Sequence, residues 1–531
     1  MLQVMTPAPA PRTAFPGPVP TPVDRRAARA GTVSVAVGAL LWACAAGVGA
    51  AALLGTPVGI GPLRVAGHVV TGWRGDRLAG LLGLLVTTVG LVVTSFATRY
   101  LHGDRRSRRF FVLVPATVVA VLLMVGATTL VGFAAGWTLS ELGVLGLVGL
   151  HRPAPGAVAA HRSTARAFAL GDAALWASVV VVVVTWGNLD LGLAVHRLPV
   201  AAGHGGAVAA LAVLVPVAVA ARCALAPLSR WLPATLAAPT PVSAFLHAGL
   251  VNAGGILLVR LAPVTGGSGI VLWPVFLLGA CTVLAAGAAA LVEPSVKGTL
   301  VRSTSAQMGF MVACCGMGWY VAAVLHLVAH GLYKSTLFLG SGAAVAARSD
   351  GRLAPPRATG RPWVRAAAAL LGPALAVGWA WTHAGPVPAD HQLAGVAVLG
   401  WMTAAWLTWG WLGRLTSPGG SVAVVVAMSV VAGTYVLAAR AVGALLAPSV
   451  AAVPAGAVPA WVALAAVAVL AALAVAVRLP GPRRSALGRR AWVLASGVSR
   501  PRPAPVTLRR APTARGVPVP AAAPAPCEVA A

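Results

Sequence analysis

The chain is short of charge, and shorter still of acids and of lysine. Only 9% of its 531 residues are charged, with ten Asp or Glu against 39 Lys or Arg. Of those 39, only Lys297 and Lys334 are lysine. The six cysteines (Cys44, Cys223, Cys281, Cys314, Cys315 and Cys527) show no C-x-x-C or other metal spacing. Most fall inside apolar runs and read as small apolar residues. No dinucleotide-binding glycine fingerprint follows a strand, and there is no Walker loop and no haem or iron–sulfur ligation pattern. A redox or ATP-hydrolysing site, and any cofactor or metal held by this chain, are therefore not expected. Whatever work it does must couple to an ion gradient or to a partner.

Apolar surface is abundant instead. Hydrophobic residues make up 59% of the sequence, and the mean hydropathy is +0.87. A soluble core cannot use that much apolar surface, so the bilayer is the main solvent. Apolar runs of helical length are centred on 31–54, 77–97, 110–128, 129–150, 167–186, 204–226, 241–262, 270–292, 297–316, 319–346, 363–383, 392–413, 421–446 and 457–478. The pattern predicts an all-α polytopic membrane protein of about fourteen transmembrane helices. Residues 1–30 are rich in Pro, Ala and Arg and lack the apolar core of a signal peptide. Residues 479–531 carry nine arginines from Arg483 to Arg515 against the single acid Glu528. Both tails are expected to be disordered, flanking a membrane domain over 31–478.

Charge placement gives the orientation. With the N-terminus inside, the inner loops hold sixteen basic residues, including Arg99, Arg105, Arg106, Arg108, Arg109, Arg230, Lys297 and Arg414. The outer loops hold three: Arg64, Arg74 and Arg197. This bias predicts a multi-pass protein of the cell membrane with both termini cytoplasmic. It also accounts for the formal charge of +29 through a basic face near anionic lipid, with no need of nucleic acid.

Ionisable residues within the membrane are costly, about 2.5–3.5 kcal/mol each at the bilayer centre on insertion scales, and so mark function. In "VLHLVAHGLYKSTLFLGSG", His326, His330 and Lys334 recur every four residues and project from one helical face. Desolvated lysine can release its proton, whereas arginine stays charged, so this row suits a proton relay. H-x-x-x-H also suits two zinc ligands, but no carboxylate or cysteine on that helix completes a set. Lys297 lies near a helix end, where snorkelling is the plainer use.

A second feature is "PTPVSAFLHAGLVNAGG", residues 239–255. Pro227, Pro233, Pro239 and Pro241 predict a broken, partly re-entrant element whose freed carbonyls must face protein or water. Such breaks line ion pathways in transporters. Arg222 precedes the break, and His247 and Asn252 follow it; Asn252 and Gln307 read as polar packing between helices.

The stretches "PTPVSAFLHAGLVNAGGILLVRLAP", "EPSVKGTLVRSTSAQMGFM" and "AAVLHLVAHGLYKSTLFLGSG" resemble the antiporter-like subunits of respiratory complex I (the subunit L branch) and of Mrp cation/proton antiporters. Within that superfamily they are most similar to DabB, the membrane subunit of DAB-type inorganic-carbon accumulation complexes. The resemblance runs from about residue 76 to 346. It implies the superfamily's fold with broken helices, and a proton-conducting subunit paired with a soluble, zinc-containing DabA-like partner similar to β-carbonic anhydrases. Proton flow through the pair would drive hydration of CO2 to bicarbonate. His326, His330 and Lys334 match the family's relay, and His247 matches the histidine after its Pro-Thr-Pro break. The implied proton pathway comprises Glu141, Asp172, Arg222, His247, Lys297, His326, His330 and Lys334.

The chain also departs from that family. Arg222 stands where the family has a lysine, and Thr138 where it has the paired acid, with Glu141 one turn further on. Glu141 either substitutes for the missing acid or pairs permanently with Arg222 as a structural bridge. Ala237 replaces the acid before the Pro-Thr-Pro motif. Asp172 matches a family Gly-Asp without the arginine expected before it. The family's first helix is replaced by the Pro-rich tail, and 363–383 holds no embedded lysine. Three functions follow: a carbon-accumulation subunit, a complex I or Mrp-like subunit, and a non-conducting membrane anchor.

Overall fold

The computed structural model describes residues 22–65, 68–104, 106–150, 156–191, 204–265, 268–342, 362–383, 390–415 and 417–450, with isolated positions 462 and 465. The expected helix 457–478 and most of the two expected tails lie outside the described residues. Helix α1 (Pro22–Leu53) starts within the stretch read as N-terminal tail. A hairpin follows, β1 (Gly59–Val65) against β2 (His68–Arg74), antiparallel with Val65 opposite His68 and Gly59 opposite Arg74. Then come α2 (Arg77–Tyr100), α3 (Ser107–Gly126), α4 (Leu130–Val148), α5 (Ala157–Trp186) and α6 (Gly205–Arg222). Beyond the Pro-rich segment lie α7 (Thr240–Ala248), α8 (Ala253–Thr265), α9 (Gly269–Val292), α10 (Val296–Gly316) and α11 (Tyr320–Leu339). The last three are α12 (Pro362–His383), α13 (Asp390–Leu412) and α14 (Pro418–Leu446).

Among the described residues, eleven helical spans are long and apolar enough to cross a membrane, with α7 and α8 forming one of them. The chain is a multi-pass membrane protein. Helix α10 does not reach that apolarity. In α10 the cause is plain: Lys297, Arg302, Ser303, Thr304, Ser305 and Gln307 all fall before residue 308.

The α7–α8 span is the hub, with 94% of its apolar window buried, against 33% for α9 and 22% for α14. Helices α2, α4, α10 and α11 surround it. Helices α12–α14 pack mainly on one another around Ala380, Ala397 and Val436, and Arg440 lies over the Trp381 ring at 4.7 Å. Helices α9 and α10 approach backbone to backbone: a side chain at Gly309 would meet the Gly279 carbonyl at 2.8 Å. Small residues permit this closeness where lipid offers no hydrophobic drive between helices.

The hairpin was not anticipated from the sequence, because its short alternation of apolar and polar residues is interrupted by glycine and proline. It is held from outside the hairpin. Trp73 donates to the Leu122 carbonyl at 2.9 Å, Asn188 donates to Val69 and Val70, and Arg74 pairs with Asp190 at 3.3 Å. Beside it, Asp76 caps α2 by accepting from the Ala79 amide at 2.7 Å. The same carboxylate accepts two bonds from Arg260 of α8, at 2.6 and 2.9 Å, and Arg260 also donates to the Val125 carbonyl. A bidentate, largely buried pair of this kind fixes geometry, and removing one partner strands the other charge. Asp76→Ala should therefore cost about 3 kcal/mol, combining the stranded Arg260 with a lost helix cap. Asp190→Ala, at a more exposed pair, should cost under about 1 kcal/mol. Thermal unfolding of the two variants in detergent ranks them directly.

Candidate functional site

The chain between α6 and α7 runs through short 3-10 turns at Leu228–Arg230 and Thr235–Ala237 and one helical turn at Trp231–Ala234. Pro227, Pro233 and Pro239 fall in this segment, as the sequence suggests. Pro241 does not break a helix: it sits in the first turn of α7, where a missing N–H is unneeded. The break at membrane depth lies further on. Helix α7 stops at Ala248, a 3-10 turn spans Leu250–Asn252, and α8 starts at Ala253. The expected single helix over 241–262 is thus two helices meeting at a kink.

That kink leaves carbonyls without helical partners, and ionisable or polar side chains take them. Asn252 donates to the Ala248 carbonyl at 2.9 Å, within its own segment rather than across helices. His330 lies 3.2 Å from the His247 carbonyl, and Arg222 Nε donates to the Leu250 carbonyl at 3.2 Å. Gly331 lets α11 come this close, since a Cβ there would sit 2.7 Å from the Ala248 carbonyl.

On the α11 side the side chains form a ladder. Lys334 is 1% exposed and donates to Ser303 Oγ at 2.6 Å and to the Leu300 carbonyl at 3.1 Å. One turn back, His330 Nδ1 lies 2.8 Å from Gln307 Oε1. Another turn back, His326 packs edge-on against Phe310, its ring centroid 5.8 Å from that of His330, with Nε2 unpartnered. The rungs Ser303–Lys334, Gln307–His330 and Phe310–His326 show α10 and α11 running antiparallel in register. The row predicted on one face of α11 is therefore present, and it faces a matching polar row on α10. No carboxylate pairs with Lys334 among the described residues. Both His330 nitrogens have hydrogen-bond partners.

Near the start of α10, Lys297 lies beside a surface depression. Lys297 donates to Thr240 Oγ1 at 2.8 Å, and the Tyr100 hydroxyl lies 3.3 Å from the same oxygen. Tyr100, with Ser95 and Arg99, lines an open depression of about 730 Å³. Lys297 is thus tied into the start of α7 rather than left to snorkel. His247 differs from the expectation in one respect. Its ring is stacked on Phe338 at 4.5 Å with both nitrogens buried and unpartnered, and only its carbonyl joins the ladder.

On the other side of the kink, Arg222 is 1% exposed and held at several points. Besides the Leu250 carbonyl it donates to Ser140 Oγ at 2.6 Å and lies 3.1 Å from Glu141 Oε1. The rings of Trp137 and Phe168 each lie 5.2 Å from the guanidinium carbon. Asp172 interacts with both Glu141 and Arg222, so two carboxyls face one guanidinium near the middle of α4 and α5. Of the two roles open to Glu141, the pairing with Arg222 is the one the geometry displays.

Thr240, Ser303 and Ser140 escaped the sequence reading. A signal for one of them existed: Ser303 and Gln307 are four apart on α10, the same spacing as His330 and Lys334.

Comparison with known proteins fits this arrangement. A family described as "NADH:quinone oxidoreductase/Mrp antiporter, TM" matches residues 127–355, and "NADH-Ubiquinone oxidoreductase (complex I), chain 5 N-terminus" matches 65–111. The Bacillus subtilis "Probable inorganic carbon transporter subunit DabB" is 34% identical over 67% of this chain and 70% of its own length. The chain belongs to the DabB family. A second DabB-family relative, DabB1 of Halothiobacillus neapolitanus, is 36% identical over 52% of this chain, and the match spans half of that protein. The Mrp complex from Dietzia sp. DQ12-45-1b shares the fold, with a TM-score of 0.54 at 24% identity over 90% of this chain and 51% of that one. The NADH:quinone oxidoreductase/Mrp antiporter match over 127–355 brackets the row on α11 and the Arg222 cluster.

Arginine at 222 makes contacts that lysine cannot repeat, since one ammonium cannot reach Ser140, Glu141 and Leu250 together while covering two rings. Arg222→Lys restores the residue type the superfamily carries, yet it should destabilise the protein by on the order of 2 kcal/mol through lost buried hydrogen bonds. Thermal unfolding beside Glu141→Gln measures it; an unchanged Tm would show that the multipoint contact contributes nothing.

Proposed function

We propose that this chain is the proton-conducting membrane subunit of an energy-coupled inorganic-carbon accumulation complex. It works with a soluble, zinc-containing, carbonic-anhydrase-like partner of the DabA type, docked on the cytoplasmic face of the cell membrane. Its own residues supply the proton path and the partner supplies the zinc.

The observation that supports conduction is the row Lys334, His330 and His326 on α11, with Lys334 and His330 buried against a polar row on α10. Lys334 is held by a hydroxyl and a carbonyl, neutral acceptors that tolerate either an ammonium or an amine. Titratable groups one helical turn apart, with acceptors between them, let a proton pass in short steps. The relatives named as inorganic carbon transporter subunits support carbon as the coupled substrate. The complex I and Mrp descriptions of the matched families support a second reading, a subunit coupled to quinone chemistry or sodium exchange.

Two measurements separate these readings. In proteoliposomes, Lys334→Ala should lower dissipation of an imposed pH gradient by about 10²-fold, the scale of a lost acid–base group. An unchanged rate would leave the chain a non-conducting anchor. In cells co-expressing a soluble protein of the DabA type, the same substitution should abolish bicarbonate accumulation, and affinity purification should recover a zinc-containing partner. Sodium-dependent flux with no such partner would favour the second reading.

A further inference from the structure

His330 has hydrogen-bond partners at both ring nitrogens, and the two partners differ in kind. Nε2 faces the His247 carbonyl at 3.2 Å, which can only accept. Nδ1 faces the Gln307 side-chain amide at 2.8 Å. An amide carries an acceptor and a donor of nearly equal size, exchanged by a half-turn of its terminal torsion. Gln307 is half-buried, while His330 is 3% exposed.

We propose that Gln307 is the adaptive partner of the relay, and that His330 gains and loses its proton at Nδ1 alone. The backbone carbonyl holds a hydrogen on Nε2 at all times. With the ring neutral, Nδ1 is bare and accepts from the Gln307 NH2 group. When a proton arrives on Nδ1, the ring becomes an imidazolium, the amide turns over, and Oε1 accepts from the new N–H. Release reverses both movements. One proton enters and one leaves, and both hydrogen bonds are kept in each state, so neither state strands a buried polar atom. The other groups facing the ring fit this assignment: His326 and Lys334 lie one turn away on α11, His247 presents its carbonyl and ring from α7, and Gln307 is the side chain met from α10. The Gln307 backbone carbonyl also faces His326, so the same residue touches two successive members of the row. The role goes beyond the polar packing that its sequence context suggests, and it rests on the proton-conducting reading above only for its use in transport.

The test is 15N NMR of histidine-labelled, full-length protein in lipid bilayers, with His330→Gln identifying the signals. Neutral His330 should be the Nε2–H tautomer, and acidification should add the second hydrogen at Nδ1. At fixed neutral pH, Gln307→Glu, a permanent acceptor, should enlarge the imidazolium signal. Gln307→Met, which cannot accept, should shrink it. Both variants should slow proton flux at least about tenfold. A neutral ring carrying its hydrogen on Nδ1, or variants that move the imidazolium signal the same way or not at all, would overturn the assignment. The tautomer is read without substrate or partner, so loss of the carbon-accumulation reading leaves this result standing.

Discussion

A broken helix in the most buried part of the protein organises everything else. Ending α7 at Ala248 and resuming at Ala253 exposes the carbonyls of His247, Ala248 and Leu250 in a region where no lipid can satisfy them. Each is met by a specific side chain: His330 from α11, Asn252 from the kink itself, and Arg222 from α6. The kink is therefore a two-sided connector. One side holds the Lys334–His330–His326 row, and the other holds the guanidinium with its two acids.

The two sides are built on different chemistry. The α11 row consists of groups able to exchange a proton, each paired with a neutral acceptor across a helix interface. The α6 side is an arginine pinned by a hydroxyl, a carbonyl, a carboxylate and two aromatic faces. Buried cations without water need such enclosure, and arginine's planar fork supplies several bonds from one side chain. The chain therefore keeps an exchangeable row on one side of the kink and a fixed charge on the other.

Much of this was legible from the sequence because the bilayer imposes simple rules. Apolar runs located the helices, and a period of four placed His326, His330 and Lys334 on one face. What stayed hidden depended on tertiary pairing. The hairpin over 59–74 has too little alternation to register as strands, and its outside hydrogen bonds come from α3, the α3–α4 connection and the segment after α5. The prolines drew attention to the wrong end of the kink, because Pro241 serves the first turn of α7 while the interruption falls at Gly249–Asn252, where glycine and asparagine give a weaker signal. Gln307 looked like packing because nothing on α10 alone says that His330 stands opposite. The Asp76–Arg260 bolt joins residues 184 positions apart and has no local trace.

Helix α10 has a consequence for how the protein is made. It supplies half of the ladder's rungs, and that polarity sets it apart from the eleven apolar spans. It follows α9, one of the most apolar spans, after a connection of only three residues, and the two meet through glycine at 279 and 309. Such a segment enters the bilayer as the second arm of a helical hairpin, drawn in by its predecessor. Insertion of α10 is thus expected to depend on the smooth apolar helix before it.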